Sequence, residues 1–135
     1  GVEGAEVENG GLRLGAESLF DPGQASLKSD RIPVLDEIAA LLKDRYPGQK
    51  IIVEVHTGDE PLEAGGGTYQ YRIQLGLERA TNVFKYFNLK HGIPEERVAI
   101  FSSGTGKPPG SETAGSAPGA GKNQRVVFRL SAHRY

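Results

Sequence analysis

From Arg31 to Tyr46, apolar residues fall at Leu35, Ile38, Ala39, Leu42 and Tyr46, which draws one stripe down a helix. Ser29 or Asp30 is placed to cap its start, Pro33 is tolerated in the first turn, and Pro47-Gly48 ends it. Lys50 to His56 (KIIVEVH) is compact and β-branched, the pattern of a buried strand. Arg72 to His91 predicts a second helix, with Ile73, Leu77, Ala80, Phe84 and Phe87 on its inner face. His91-Gly92 and Ile93-Pro94 stop it, glycine offering a left-handed residue and proline blocking continuation. Val98 to Phe101 and Arg125 to Leu130 predict two more strands, and Leu12 to Leu14 or Leu19-Phe20 an opening one. The order is β-α-β-α-β-β. It predicts an α/β fold, an α+β sandwich with two helices packed on one mixed sheet. That pattern sets an architecture and no activity.

Composition narrows the class. The 135 residues suffice for one domain with a single core. With 37% hydrophobic and 24% charged residues the chain has an ordinary globular balance, and no apolar run is long enough to cross a membrane. A net charge of -1 with mixed signs gives no nucleic-acid surface. The absence of cysteine excludes disulfides and thiolate chemistry. Nineteen glycines cluster: residues 1–15 predict a flexible leader or short strand, and residues 103–122 a loop of disordered type. The folded domain is expected over 16–132, with a short tail at 133–135. The chain opens on Gly1 and holds no methionine, so it is expected to be a processed product or part of a longer protein, any signal or membrane anchor lying outside it.

Catalytic and metal motifs are missing. His56, His91 and His133 have no metal-ligand spacing, and there is no cysteine to join them. Ser102-Ser103 lacks the surroundings of a nucleophile elbow, and the stretch ending at Gly121-Lys122 fails as a phosphate loop at Ser116 and Asn123. The aromatic group Tyr69, Tyr71, Phe84, Tyr86 and Phe87 has helical spacing, as core residues do.

Other fragments carry a resemblance. Leu19 to Leu27 (LFDPGQASL), Val53 to Thr57, His56-Thr57-Gly58-Asp59-Glu60-Pro61, Leu75 with Arg79-Ala80, Gly92-Ile93-Pro94, and Asn123-Gln124-Arg125 follow one another in the order and spacing of one family. From Leu19 to Leu130 the chain resembles the OmpA/MotB-like peptidoglycan-associating domain, and its turn Pro22-Gly23 and Pro61 are closer to the MotB branch. The resemblance implies a non-catalytic domain of the periplasm or cell envelope with no cofactor. It would hold the diamino acid of the peptidoglycan stem peptide, an aspartate taking the ammonium and an arginine the carboxylate. It also implies homodimerisation as an option, and membrane attachment only through segments beyond these residues.

Carried onto this chain, the resemblance gives Thr57, Gly58, Asp59, Arg72, Leu75, Arg79, Asn123 and Arg125 as the candidate ligand site. Arg79 keeps the arginine role, whose planar fork meets a carboxylate with two parallel bonds. Gly58 stands at the aspartate position, Arg72 at the usual asparagine and Gly76 at the usual serine. Removing one partner of a buried charge pair costs about 2–5 kcal/mol, roughly one and a half to four orders of magnitude in affinity. Two readings therefore stay open. In one, Asp59, or failing it Glu60 or Glu63, bends back to supply the carboxylate. In the other, the fold persists as a structural or protein-interaction module without the ligand.

Overall fold

The computed structural model describes residues 5–8, 10–58, 69–104 and 124–134. Five strands form one sheet: β1 (Glu6–Glu8), β2 (Gly11–Gly15), β3 (Gln49–Thr57), β4 (Val98–Ser103) and β5 (Gln124–Arg134). Their spatial order is β1-β2-β5-β3-β4. β3 and β4 run parallel, and the remaining pairs are antiparallel. Two helices, α1 (Ile32–Arg45) and α2 (Tyr69–His91), cover one face. The mixed sheet and helix pair are those the pattern predicts, with one strand added at the start. Glu6–Glu8 folds back on Gly11–Gly15 through Gly10, whose φ of 80° suits glycine. The expected loop at 103–122 lies mainly outside the described residues, as do Asp59 to Thr68.

The strand alternation decides what each face carries. Ile51, Val53 and Val55 of β3 and Val126 and Phe128 of β5 point to the helices and are buried. They meet Leu35, Ile38, Ala39 and Leu42 of α1 and Ala80, Val83 and Phe87 of α2 in a single cluster. The opposite face is mixed, with Ile52 and Val127 set among charged side chains. There Arg129 Nε donates to Glu54 Oε2 at 2.6 Å, His56 Nε2 lies 3.3 Å from Glu54 Oε1, and Arg13 pairs with Glu6.

Three expectations need correction. First, α1 has no side-chain cap at Ser29 or Asp30: a short 3-10 turn over Ser29–Arg31 leads straight into the helix. Second, the buried stripe of α2 is rotated. Leu75, Gly76, Arg79, Ala80, Val83 and Phe87 are buried, whereas Leu77 is 37% exposed and Ile73 and Phe84 are half-buried. α2 lies over the margin of the sheet, so the flank bearing Ile73, Leu77 and Phe84 overhangs β4. Third, the carbonyl end of α1 is closed mainly by a residue the pattern does not single out. Buried Arg97 donates from Nε to Gln49 O at 2.6 Å and from Nη2 to Leu42 O at 2.8 Å and to Tyr46 O. A cation at a helix C-terminus satisfies orphan carbonyls and suits the dipole.

The helices are tied by a polar knot. Asp36 Oδ1 of α1 accepts from Tyr86 OH at 2.5 Å and lies 2.8 Å from His91 Nε2. The Tyr86 bond, then His91, hold the Asp36 carboxyl below its ordinary value, and the same bond pushes Tyr86 up to about 12. A raised tyrosine pKa is stability present below the unfolded value near 10 and lost as pH rises through about 12. A lowered carboxyl pKa gives stability lost as pH falls through the folded value. Tyr86→Phe should therefore flatten the decline in thermal stability between pH 10 and 12 while lowering the plateau at neutral pH. Melting curves across that range check it.

Candidate functional site

On α2, Arg72, Leu75, Gly76 and Arg79 are spaced three, one and three residues apart, so they share one flank. At Arg79 that flank meets the turn after Phe20. Asp21-Pro22-Gly23-Gln24 has proline second and glycine third with φ 71°, and Gln24 N–H donates to Asp21 O at 3.0 Å. This is the type II pattern, which proline and glycine favour for separate reasons. A bridge between Phe20 and Leu27 and a bond from Lys28 N–H to Leu19 O at 2.8 Å close the base of the loop.

Arg79 reaches into this turn. Its Nε donates to Gln24 O at 2.8 Å and its Nη2 to Asp21 O at 3.1 Å. The guanidinium carbon lies 4.9 Å from the centre of the Phe20 ring, and the residue is 1% exposed. One turn on, Asn82 Nδ2 donates to Ala25 O at 2.8 Å. Two successive side chains of α2 therefore hold three carbonyls of one loop. Hydrogen bonds from a charged donor contribute about 1.5–3 kcal/mol each, and a ring under the cation about 0.5–2 kcal/mol.

The start of α2 is pinned to the carboxyl ends of β3 and β4. Thr57 Oγ1, fully buried, donates to Arg72 O at 2.5 Å. Ser102 Oγ donates to Ile73 O at 2.9 Å, and Arg72 Nε donates to Gly104 O at 2.9 Å. A Cβ added at Gly76 would lie 2.2 Å from Ser102 Oγ, so glycine at this position is what lets the Ser102 hydroxyl reach the helix.

The structure thus sets Thr57 against Arg72 near the start of α2 and places Leu75 and Arg79 farther along the same flank, with half-buried Gly58 one residue beyond Thr57. Leu75 is 4% exposed and packs inward. Arg125 is elsewhere. It pairs with His56 across β3 and β5 and points to the face away from the helices, where it is 1% exposed. Alternation along β5 forces this, because Val126 faces the core. Asp59 and Asn123 lie outside the described residues. The pattern also passes over Asn82 and Ser102. Asn82 carries a spacing signal, three residues past Arg79, while Ser102 opens a run with loop composition. No group of histidine, cysteine and carboxylate residues suited to a metal occurs among the described residues.

The family model described as the OmpA family matches residues 19–124. The chain belongs to the OmpA family. Solved structures of the same fold include the cell wall anchor of the T6SS from Pseudomonas aeruginosa, at 23% identity and a TM-score of 0.74, covering 97% of this chain and 90% of that one. The periplasmic domain of Helicobacter pylori MotB (residues 78-256) is 23% identical with a TM-score of 0.72, over 94% of this chain and 80% of that one. The peptidoglycan-associated lipoprotein from Burkholderia pseudomallei is 25% identical with a TM-score of 0.61, over 84% and 87%. No curated protein matches the chain. No helix among the described residues of this OmpA-family domain is long and apolar enough to cross a membrane.

The close contact at Gly76 has a testable consequence. Gly76→Ser drives its side chain into Ser102, and overpacking of this kind costs about 1–3 kcal/mol. Combining it with Ser102→Gly should recover most of the loss. Urea denaturation of the two single variants and the double variant measures the coupling.

Proposed function

We propose that this chain is a non-catalytic domain of the periplasm or cell envelope that associates non-covalently with the peptidoglycan stem peptide through an altered site. The observation that carries the reading is Arg79, held midway along α2 by the Asp21–Gln24 turn in an OmpA-family domain. Its guanidinium supplies the fork for the carboxylate of the stem-peptide diamino acid, with the Thr57–Gly58 strand exit beside it. A relative named as a cell wall anchor and another named peptidoglycan-associated support the same ligand class.

The anionic half of the site is altered. Gly58 carries no carboxylate to meet the ammonium, and Arg72 adds positive charge at the helix start. Asp59 is the nearest carboxylate in sequence and is the group we assign to that role. A second reading, a structural module without ligand, draws on two observations. Arg79 is 1% exposed with two donors committed to backbone carbonyls, and Arg72 is drawn to Gly104 at the end of β4.

Titration with a diaminopimelate-containing muropeptide separates the readings. Wild type should bind, and Arg79→Lys, which keeps the charge and loses the fork, should bind roughly tenfold more weakly. Gly58→Asp should tighten binding by restoring the second charge. Silence from wild type and Gly58→Asp, both folded by circular dichroism, would leave the structural module.

A further inference from the structure

The loop that receives Arg79 continues through Ala25, Ser26 and Leu27 and lies alongside the carboxyl half of α2. Between loop and helix is a groove of about 350 Å³, at the lower end of the roughly 300–1,000 Å³ spanned by ligand pockets. Leu27, Tyr86 and Leu89 give it an apolar floor, and Leu89 is 76% exposed. Both walls are held without a ligand. Asn82 Nδ2 donates to Ala25 O at 2.8 Å, and Tyr86 OH donates to Asp36 Oδ1 at 2.5 Å. A preformed cleft has less ordering entropy to lose when it is filled.

The charge of the groove is one-sided. Lys85 and Lys90 line it, and among the described residues no carboxylate does. At about 100° per residue the two lysines stand roughly 140° apart around α2, with Leu89, Asn82 and Tyr86 between them. The cations therefore bracket the apolar floor. Neither has an acidic residue three or four positions away, where an intrahelical partner would stand. Among the described residues neither is in a salt bridge. Lys90 falls in the last turn, where a cation suits the helix dipole, but Lys85 lies beyond that reach.

We propose that this groove docks a short acidic segment of a partner protein, one apolar side chain resting on Leu27, Tyr86 and Leu89 while carboxylates on either side meet Lys85 and Lys90. The inference rests on the groove alone and does not require peptidoglycan binding. From Arg72 to Lys85 is about 20 Å along α2, so both sites can be filled together. The lysine stems extend the apolar floor while their ammonium groups stay in water. Their charge selects acidic partners and speeds encounter, and the floor supplies the contact area. A flat anionic membrane would meet the lysines and leave half-buried Leu27 uncovered.

Fluorescence anisotropy with a fluorescein-labelled pentapeptide, one leucine flanked by two glutamates on each side, tests the proposal. The purified chain should bind it with a Kd below about 1 mM and should ignore the counterpart with lysines in place of glutamates. Lys85→Glu, Lys90→Glu and Leu89→Ser should each weaken binding roughly tenfold. All three should keep the wild-type melting temperature, because the side chains they change are exposed. Excess muropeptide should not displace the peptide. A chain that ignores the acidic peptide at millimolar concentration would overturn the proposal, as would binding that survives both lysine changes. Lysine-dependent binding to phosphatidylglycerol vesicles with none to the peptide would overturn it too, and give this face to a membrane.

Discussion

The seating of the middle of α2 depends on one buried cation meeting one tight turn. Moving a guanidinium out of water is unfavourable by several kcal/mol unless its donors are satisfied. Asp21-Pro22-Gly23-Gln24 helps meet that demand with its backbone, since its geometry aims the Asp21 and Gln24 carbonyls at Arg79 while the Phe20 ring lies beneath the guanidinium. The exchange is mutual. The turn needs donors for carbonyls that the sheet cannot use, and the arginine needs acceptors that do not neutralise it. A carboxylate in their place would cancel the charge that a ligand carboxylate seeks. The carbonyls of Asp21 and Gln24 fix the position of Arg79 and carry no formal charge to set against its own.

The same logic holds at the start of α2. Gly76 gives up a side chain, and Ser102 from β4 fills the space and donates to the carbonyl of Ile73. Thr57 does the equivalent for Arg72 from β3. The first turn of α2 is thus fastened to both parallel strands by hydroxyls. Arg72 turns its Nε to Gly104 at the end of β4. The cost of these changes falls on charge. The helix start holds a cation at Arg72, and Gly58 itself offers no carboxylate.

Much of this was legible in the residues. The α1 stripe, the β3 run and the stop at Gly92 appear where periodicity and turn chemistry put them, because each is a local property. Gly92 takes φ 67°, and its N–H reaches Asn88 O at 3.1 Å. The face of α2 was misjudged for a non-local reason. Leu77 and Phe84 look like core by hydrophobicity, yet the sheet ends beneath them, while Arg79 is buried because a loop nearly sixty residues upstream receives it. Arg125 shows the complementary failure. Its place in sequence suggests the site, but the two-residue period of β5 turns it to the other face. Nor could spacing reveal Ser102 as a helix fastener, since its role exists only where β4 passes Gly76.

The central claim is that Arg79 is both the brace of the Asp21–Gln24 turn and the cation of a peptidoglycan site. Its Nε–H resonance, followed by NMR during addition of diaminopimelate-containing muropeptide, tests that claim most directly. The account predicts a signal that exchanges slowly with water before ligand is added, because Gln24 O accepts the proton. It then predicts a saturable shift of that signal together with the amides of Thr57 and Gly58. A slowly exchanging Nε–H that stays unmoved at every ligand concentration would show a brace and nothing more.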